Sequence, residues 1–350
     1  MKILFHLGHP AHYHLFKNVI KQLHENGHET TIAIKKKDVL EDLLKCSGLS
    51  YINILPSGRK DNRLSIAVGQ LKQNYQLFKV CRREKPNVLV GTSVAISHVG
   101  KLLGIPSINM NEDDAEVVPL YAKLAYPWAT KIISPNVCSV GKWHAKKVGY
   151  EGFHELAYLH PENFVPNKEI ANKYIKTDHP LTLIRFAKLG AHHDTGVKGI
   201  SDELAMIIIE QLNKKSDIII SSERNLGPEL EPFRRNIAPQ EMHHLMAESS
   251  LFIGDSQTMS AEAGVLGVPF IRVNDFVGKI GYLNELEEKY HLGIGIRPSD
   301  QNRLIEEISK IDFSNENRKN HLKKRHQMLS DKINLSSFLY SYLVGKKYLK

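Results

Sequence analysis

The chain has 350 residues, enough for two domains of ordinary size with separate cores. Its composition, 42% hydrophobic and 24% charged, is that of a soluble globular protein, and no apolar stretch approaches the roughly 20 residues that span a bilayer. Residues 1–6 predict a first β-strand rather than a signal peptide.

The net charge of +9 is concentrated near the C-terminus. Residues 310–350 contain ten Lys or Arg residues against three acidic residues. Either this segment is a solvated helical face, or it meets an anionic surface, for which a membrane is favoured over nucleic acid. The sequence contains no recognised nucleic-acid-binding motif, so no nucleic-acid partner is expected.

Three cysteines, Cys46, Cys81 and Cys138, have no metal-ligand spacing and cannot all pair within one chain. A reducing compartment is the simplest setting for them. We therefore expect a cytoplasmic protein, with peripheral contact at the inner face of the membrane left open.

The first half of the chain alternates strand-like and helix-like segments. Strands are predicted at KILFHLG, ETTIAIK, NVLVG and PSINMN. Helices are predicted at 15–26, at 38–46 and near 97–103, and Gly27 ends the first of them. A further long helix is predicted to follow a loop around 57–59 and to run to about Glu84. Alternation with short turns predicts a parallel sheet covered on both faces.

The same pattern restarts in the second half. Strands are predicted at LTLIRFA, DIIISS, LFIGD and PFIRV, and helices near 202–213, near 239–248 and after LFIGD. The fold class is α/β, with Rossmann-like doubly wound parallel-sheet domains at 1–165 and 180–313 facing a cleft, and a helical arm at 314–350. Residues 160–179, with two prolines, contain the expected linker. Ligands bind such sheets beyond the carboxyl ends of the strands.

A helix begins just after the strand LFIG, within the stretch GDSQTMSAEAGVLGVP at 254–269. Ser256 is placed to cap it, and Gln257 and Thr258 fall in its first turn, where free N–H groups and the positive dipole end suit a diphosphate. Glu262 shares a face with Thr258 and has the chemistry to accept hydrogen bonds from ribose hydroxyls. The alternative is an ordinary capped helix with a solvated glutamate.

The segment HHLMAESSLFIGDSQTMSAEAGVLGVPFIRV resembles the nucleotide-binding segment of GT-B glycosyltransferases, most nearly that of the peptidoglycan N-acetylglucosaminyltransferase family. HLGHPAHYHLFKNVIKQLHENGHE and KPNVLVGTSVAISHVGKLLGIPSINMNEDD are similar to its first loop and helix and to its strand–helix–strand. The chain also resembles an uncharacterised microbial domain-of-unknown-function family beside these transferases and the hydrolysing UDP-GlcNAc 2-epimerases. The likeness implies a GT-B fold, diphosphate at Ser256–Thr258, ribose at Glu262 and a cleft histidine at His12.

Three histidines, His9, His12 and His14, lie between the first strand and the first helix. No Cys or carboxylate in this segment completes a set of metal ligands with the histidines, so no metal is expected. Two interpretations remain. Either one or two of these histidines are buried and hydrogen-bonded in the first helical turn, or His12 lines the cleft as the resemblance implies. There a neutral imidazole has the chemistry to take a proton from an acceptor hydroxyl, and a charged one to hold a phosphate.

An acidic loop, Glu112-Asp113-Asp114, follows the strand PSINMN. A carboxylate there has the chemistry of a base or a Mg²⁺ ligand, and a capped, solvated loop is the alternative. The sequence pattern does not rank the three acids, and Glu112 is taken as the candidate catalytic residue.

The first strand of the second half ends in LIRFAKLGAHHDTGVKG, where the resembled family has a glycine-rich phosphate loop. Arg185 and Lys188 stand there with Gly190, His192, His193 and Asp194, and fixed cations are able to neutralise a diphosphate. Arg224, after the next strand, is a further candidate. A solvated role is the alternative for each cation.

These observations favour a glycosyltransferase that uses a nucleotide-sugar donor, expected to be a UDP-sugar, and a glycan or lipid-linked acceptor in cell-envelope polysaccharide synthesis. No Asp-x-Asp metal motif is evident and no cofactor is expected. Two alternatives stay open: a hydrolysing UDP-GlcNAc 2-epimerase, and a non-catalytic nucleotide-sugar-binding protein.

Overall fold

The structure is a computed structural model that describes residues 1–37, 39–56, 63–187 and 199–349, with only the backbone of 63–67. The chain forms two compact units. Unit 1 comprises Met1–Tyr158 and Ile333–Lys350, and unit 2 comprises Leu159–Lys332. The loop expected around residues 57–59 lies outside the described residues.

Unit 1 is built on a seven-stranded parallel sheet. Its strands are β1 (Lys2–Leu7), β2 (Glu29–Lys35), β3 (Ile52–Leu55), β4 (Val88–Gly91), β5 (Ser107–Met110), β6 (Lys131–Pro135) and β7 (Lys147–Tyr150). Its helices up to residue 158 are α1 (Pro10–Glu25), α2 (Leu40–Cys46), α3 (Arg63–Glu84), α4 (Val94–Leu103) and α5 (Pro119–Ala125). The strand order β3-β2-β1-β4-β5-β6-β7 reverses direction between β1 and β4. Ligands of doubly wound sheets bind at the carboxyl side of such a reversal.

The reversal in unit 1 depends on close backbone packing. His6 of β1 is the register partner of Gly91, the last residue of β4. A Cβ at position 91 would lie 2.5 Å from the carbonyl oxygen of His6, so only glycine fits there. The chain after β1 and the chain after β4 therefore leave the sheet side by side.

Unit 2 contains a five-stranded parallel sheet of order β12-β11-β10-β8-β9. The strands are β8 (Leu181–Phe186), β9 (Asp217–Ser222), β10 (Leu251–Gly254), β11 (Phe270–Val273) and β12 (Gly293–Ile296). The helices are α6 (Lys168–Ala171), α7 (Asp202–Leu212), α8 (Met242–Glu248), α9 (Gln257–Leu266), α10 (Gly281–Asn284), α11 (Gln301–Ser309) and α12 (Asn315–Asp331). The order reverses between β8 and β10. Strand β8 carries Arg185, and the end of β10 leads into α9.

The two parallel sheets confirm the predicted α/β class. Strands β2 and β9 coincide with the predicted ETTIAIK and DIIISS, because their apolar runs are long and β-branched. Four short strands, β3, β6, β7 and β12, were not predicted. Each has only four or five residues.

The C-terminal residues are shared between the units. Helix α12 belongs to unit 2, where Arg325 Nε donates to the carbonyl of Val265 at 2.7 Å. The last helix, α13 (Leu335–Val344), belongs to unit 1, and its Ser336 hydroxyl donates to the carbonyl of Ala157 at 2.6 Å. Leu339 and Leu343 of α13 are buried. Among the described residues, no helix is both long enough and apolar enough to cross a membrane.

Candidate functional site

The reversal point of unit 2 brings the predicted nucleotide-binding residues together. Arg185 of β8 and Gly254 of β10 are register partners, and the N–H of Asp255 lies 3.4 Å from the carbonyl oxygen of Arg185. The chain then turns into α9, so the positive end of α9 opens beside the end of β8.

Ser256 caps α9 as predicted. Its backbone is extended, with φ −80° and ψ 121°, and its hydroxyl accepts from the N–H of Met259 at 3.3 Å. Gln257 and Thr258 occupy the first turn and are partly exposed. The first N–H groups of a helix have no partner within the helix, so this turn presents donors suited to an anion.

Glu262 is buried, not solvated. Its Oε1 lies 2.9 Å from Nε2 of His243 on α8, and each of the two side chains is 7% exposed. The ring of Phe164 packs edge-on against His243, with 6.1 Å between ring centroids. The alternative of a solvated glutamate is therefore wrong for Glu262, because α8 covers this face of α9.

Asp255, which the sequence analysis did not single out, joins three segments at the reversal point. Its carboxylate accepts from the N–H of Ala187 at 2.6 Å and from the N–H of Ile200 at 3.4 Å. Its carbonyl accepts from the side-chain amide of Asn274 at 3.1 Å. Burial raises the pKa of Asp255 to about 6, although both N–H donors act to lower it.

Arg185 is held in place by neighbours on and after β9. Its Nη1 donates to the hydroxyl of Ser221 at 2.6 Å, and its Nη2 forms an ion pair with Glu223. The Nε atom of Arg185 is buried and has no hydrogen-bond partner among the described residues. The guanidinium is thus oriented at the end of β8, and its Nε–H is one donor that the described residues leave unused.

Arg224 is engaged mainly in contacts that stabilise the unit. Its Nη1 lies 2.5 Å from Oδ1 of Asp202, its Nη2 donates to the carbonyl of Ile200 at 3.0 Å, and it stacks 4.6 Å above the ring of Phe186. Of the remaining candidates of this region, the following lie outside the described residues: Lys188, Gly190, His192, His193 and Asp194.

His12 lies in the first turn of α1, beside the reversal point of unit 1. Its Nδ1 accepts from the N–H of Gly8 at 3.0 Å, so in the neutral ring Nε2 carries the proton. Burial, and after it the charge of His9, hold the pKa of His12 well below its usual range. His12 is therefore a neutral hydrogen-bond donor in this state and not a fixed cation.

Other basic groups surround this loop. A Cβ at Gly8 would lie 3.6 Å from Nζ of Lys35, which places that ammonium beside the loop. His6 is buried against Gln73, and burial lowers its pKa to about 3. His14 packs between aromatic rings, with 5.2 Å to the ring of Tyr158. Among the described residues, no three His, Cys, Asp or Glu side chains converge as metal ligands.

The structure separates the residues of the acidic loop. The Glu112 carboxylate accepts from the backbone N–H of His154 at 3.0 Å, and its Oε1 lies 3.4 Å from Nδ1 of the same residue. Asp114 accepts from the N–H of Ser139 at 2.6 Å, as in a capped loop. Glu112 therefore lies against an imidazole ring, and the charge of Asp113 acts to raise the pKa of that same ring.

His154 itself was missed by the sequence analysis. Burial lowers its pKa to about 4, so the ring is neutral at pH 7. With Nδ1 facing the Glu112 carboxylate, the proton belongs on Nδ1 and Nε2 is left as an acceptor. That Nε2 is buried and has no partner among the described residues. A charge on His154 would also act to lower the pKa of His12, which indicates that the two rings lie near each other.

The missed residues carry weak sequence signals. Glu112 and His154 are separated by 42 positions, and Glu262 and His243 by 19. His243 lies in the HHLMAE segment quoted above. That helix is short, so residue spacing alone does not predict which of its faces packs against α9.

The sequence matches a known family over residues 1–331, described as protein of unknown function (DUF354). The chain belongs to this family. An uncharacterised protein of Methanocaldococcus jannaschii is 25% identical over 307 residues, which cover 81% of this chain and 86% of that protein. The matched range of the DUF354 family includes both reversal points described above.

Solved structures with GT-B architecture are similar to this DUF354 member over nearly its whole length. UDP-GlcNAc 2-epimerase from Neisseria meningitidis, bound to UDP-GlcNAc, superposes with a TM-score of 0.67 at 16% identity, covering 99% of this chain and 100% of that one. The spinosyn rhamnosyltransferase SpnG, in complex with spinosyn aglycone, gives 0.64 at 13% identity, covering 97% and 99%. The S. aureus MnaA–UDP structure gives 0.68 at 14% identity, covering 99% and 96%. The protein has the GT-B fold, with two Rossmann-like domains.

Proposed function

We propose that the protein is a glycosyltransferase that moves a sugar from a nucleoside-diphosphate donor, a UDP-sugar, to a hydroxyl of a glycan or lipid-linked acceptor. The observation that carries the proposal is the capped start of α9 at the reversal point of unit 2, with Glu262 one turn further along. The solved neighbours of the same fold include a UDP complex and a UDP-GlcNAc complex, and both support a nucleotide-sugar ligand.

The donor is assigned to unit 2. The diphosphate is bound by the N–H groups of Gln257 and Thr258 and by the Nε–H of Arg185, since the helix dipole and the cation both favour negative charge there. The ribose hydroxyls donate to the Glu262 carboxylate, whose orientation His243 fixes through the 2.9 Å contact. The same donors stabilise the charge that develops on the leaving diphosphate.

The acceptor is assigned to unit 1. Its hydroxyl oxygen attacks the anomeric carbon of the donor sugar, and the bond from that carbon to the diphosphate oxygen breaks with its electron pair. The proton of the hydroxyl goes to Nε2 of His154, and the Glu112 carboxylate stabilises the imidazolium that forms. His12 donates a hydrogen bond through its Nε2–H and orients the reacting groups. This division follows from the tautomers, since His154 presents an acceptor nitrogen and His12 a donor.

A hydrolysing UDP-sugar 2-epimerase is the second candidate, because one of the similar solved structures is a UDP-GlcNAc 2-epimerase bound to UDP-GlcNAc. Such an enzyme also needs a group that removes a proton from the sugar, and the Glu112–His154 pair has that chemistry. The two functions differ in their products.

The test is incubation of the purified protein with UDP-GlcNAc, with and without an extract that supplies acceptors. Release of UDP together with a glycosylated product supports the transferase. Release of UDP with free N-acetylmannosamine, in the absence of extract, supports the epimerase instead. Absence of UDP binding by calorimetry contradicts both.

A further inference from the structure

Most of the exposed large apolar side chains described in unit 1 lie on or beside three helices, α3, α4 and α5. The apolar segment near the C-terminus does not contribute, because Leu339 and Leu343 of α13 are buried. Leu102 of α4 is 72% exposed and Leu71 of α3 is 68% exposed. Among the residues whose side chains the structure describes, the exposed large apolar ones on and beside α3, α4 and α5, here called the α3–α5 face, are Val68, Leu71, Tyr75, Leu102, Leu120, Leu124 and Trp128. Single exposed leucines are common, whereas a contiguous group usually marks an interaction surface.

Contacts between the helices make this face continuous. A groove of about 270 Å³ is lined by Tyr75 and Phe78 of α3 and by Val99 and Leu102 of α4. His98, also in the groove, connects it to α5 and to the residues that follow. Its Nδ1 lies 3.0 Å from the side-chain amide of Asn74, its Nε2 donates to the carbonyl of Leu124 at 2.9 Å, and its ring packs edge-on against Trp128 at 6.3 Å.

The spacing along each helix keeps the apolar groups on one side. Val68, Leu71 and Tyr75 follow one another at three and four residues, and Leu120 and Leu124 at four. Each row therefore forms a stripe and not a ring around its helix.

Most charges on and beside the face are of one sign, and the exposed Glu116, which accepts from the Ser139 hydroxyl at 3.2 Å, is an exception before α5. Lys72, Lys79, Lys101 and Lys123 are exposed on the same three helices, and the ammonium of Lys79 lies 5.6 Å from the ring centre of Tyr75. Burial, and after it the charge of Lys101, lowers the pKa of Lys146, so a further ammonium lies near Lys101. No Asp or Glu occurs at residues 85–111 or 117–150. Glu84, at the end of α3, is paired with Lys2 and Arg83.

We propose that the α3–α5 face docks on an anionic phospholipid surface. Apolar side chains that protrude between lysines match the acyl boundary and the anionic headgroups together, and each lysine near such a surface adds to the attraction. A second copy of the chain is a poorer occupant, because the described charges on α3, α4 and α5 are mostly lysines and two such faces repel one another. The face lies on unit 1 and does not use the basic α12 segment.

Vesicle co-sedimentation of the full chain tests the proposal. We expect binding to phosphatidylcholine vesicles that contain about one third phosphatidylglycerol, weaker binding as salt rises, and little binding to pure phosphatidylcholine. The double variant Lys101→Gln/Lys123→Gln lowers the partition coefficient by about tenfold or more, since each lysine contributes about fivefold. The double variant Leu102→Ser/Leu124→Ser lowers the partition coefficient at low salt and at high salt alike.

The matched control neutralises two exposed lysines elsewhere. Lys319→Gln/Lys323→Gln on α12 leaves vesicle binding unchanged, and thermal unfolding checks that every variant is folded.

The fluorescence of Trp128 reports docking directly when Trp143 is replaced by Phe. Anionic vesicles are expected to shift its emission to the blue, because the half-exposed indole leaves water. The proposal is overturned if the wild type ignores anionic vesicles, or if the α12 control loses as much binding as the α4–α5 variant. A solution dimer that Leu102→Glu dissociates, without vesicle binding, overturns it in favour of self-association.

Discussion

Nε2 of His243 lies 2.9 Å from Oε1 of Glu262, and the two buried side chains connect α8 to α9. The contact fixes the carboxylate one turn inside the helix whose first turn is proposed to hold the diphosphate. A glutamate held in this way has little rotamer freedom left to lose when a ribose binds.

Replacement of Glu262 tests its assigned role with little structural disturbance. Glu262→Gln keeps an oxygen that accepts from His243 and removes the charge that strengthens hydrogen bonds from ribose. We expect the dissociation constant for UDP to rise about 10-fold to 100-fold, the equivalent of about 1.5–3 kcal/mol, with a nearly unchanged unfolding temperature. Calorimetric titration measures it, with the exposed Glu288→Gln as control. An unchanged affinity for UDP refutes the ribose contact.

The two arginines of the site are expected to behave differently. Arg185→Gln lowers affinity for UDP about tenfold and leaves affinity for uridine unchanged, because only the diphosphate loses a partner. Arg224→Gln instead lowers the free energy of unfolding by about 1–2 kcal/mol, since Asp202 and the ring of Phe186 lose their contacts. Binding titrations with both ligands and urea unfolding check this. Equal losses of UDP and uridine binding in Arg185→Gln contradict the phosphate role.

The tautomers in unit 1 predict which histidine tolerates an amide. His12→Gln supplies a side-chain N–H and is expected to keep most of the turnover that His12→Ala removes. His154→Gln cannot take up a proton, so it lowers turnover about 10²-fold to 10⁴-fold, as Glu112→Gln also does by removing the group that stabilises the imidazolium. UDP affinity stays unchanged in all four variants. Full activity of His154→Gln, measured as UDP release, removes it as the base.

Asp255 predicts a specific pH dependence of stability. Its pKa rises from 3.8 to about 6 on folding, so the folded state binds its proton more tightly and stability falls as pH rises through that window. The loss amounts to about 3 kcal/mol by pH 7. Asp255→Asn, which does not titrate, lacks this decline. Urea unfolding of both proteins between pH 4 and pH 7 measures the difference, and parallel curves contradict the assignment.

Long, uniformly apolar segments made the framework of the fold predictable. β2 is Glu29–Lys35, a β-branched run bounded by helical sequence, and its limits were found from the sequence. β12, Gly293–Ile296, alternates glycine with isoleucine and gives no strand periodicity of its own. It forms because its backbone pairs with β11, in a register that joins Phe270 to Gly293.

The capped start of α9, which is the candidate nucleotide site, was predictable from local pattern, whereas the partners of its side chains were not. The cap at Ser256 and the glutamate one turn later are contained in a few consecutive residues, and the helix geometry relates them. The neighbour of Glu262 is set by how α8 packs on α9, and the neighbour of Glu112 by the turn after β7. Such contacts between distant segments decide whether a carboxylate is solvated or buried, and no spacing in the sequence encodes them.

The most direct measurement is a crystal structure of the protein with UDP. We predict diphosphate oxygens within hydrogen-bond distance of the N–H groups of Gln257 and Thr258, and ribose hydroxyls on the carboxylate of Glu262. A nucleotide bound elsewhere, or a first turn of α9 filled by the protein's own side chains, would contradict it.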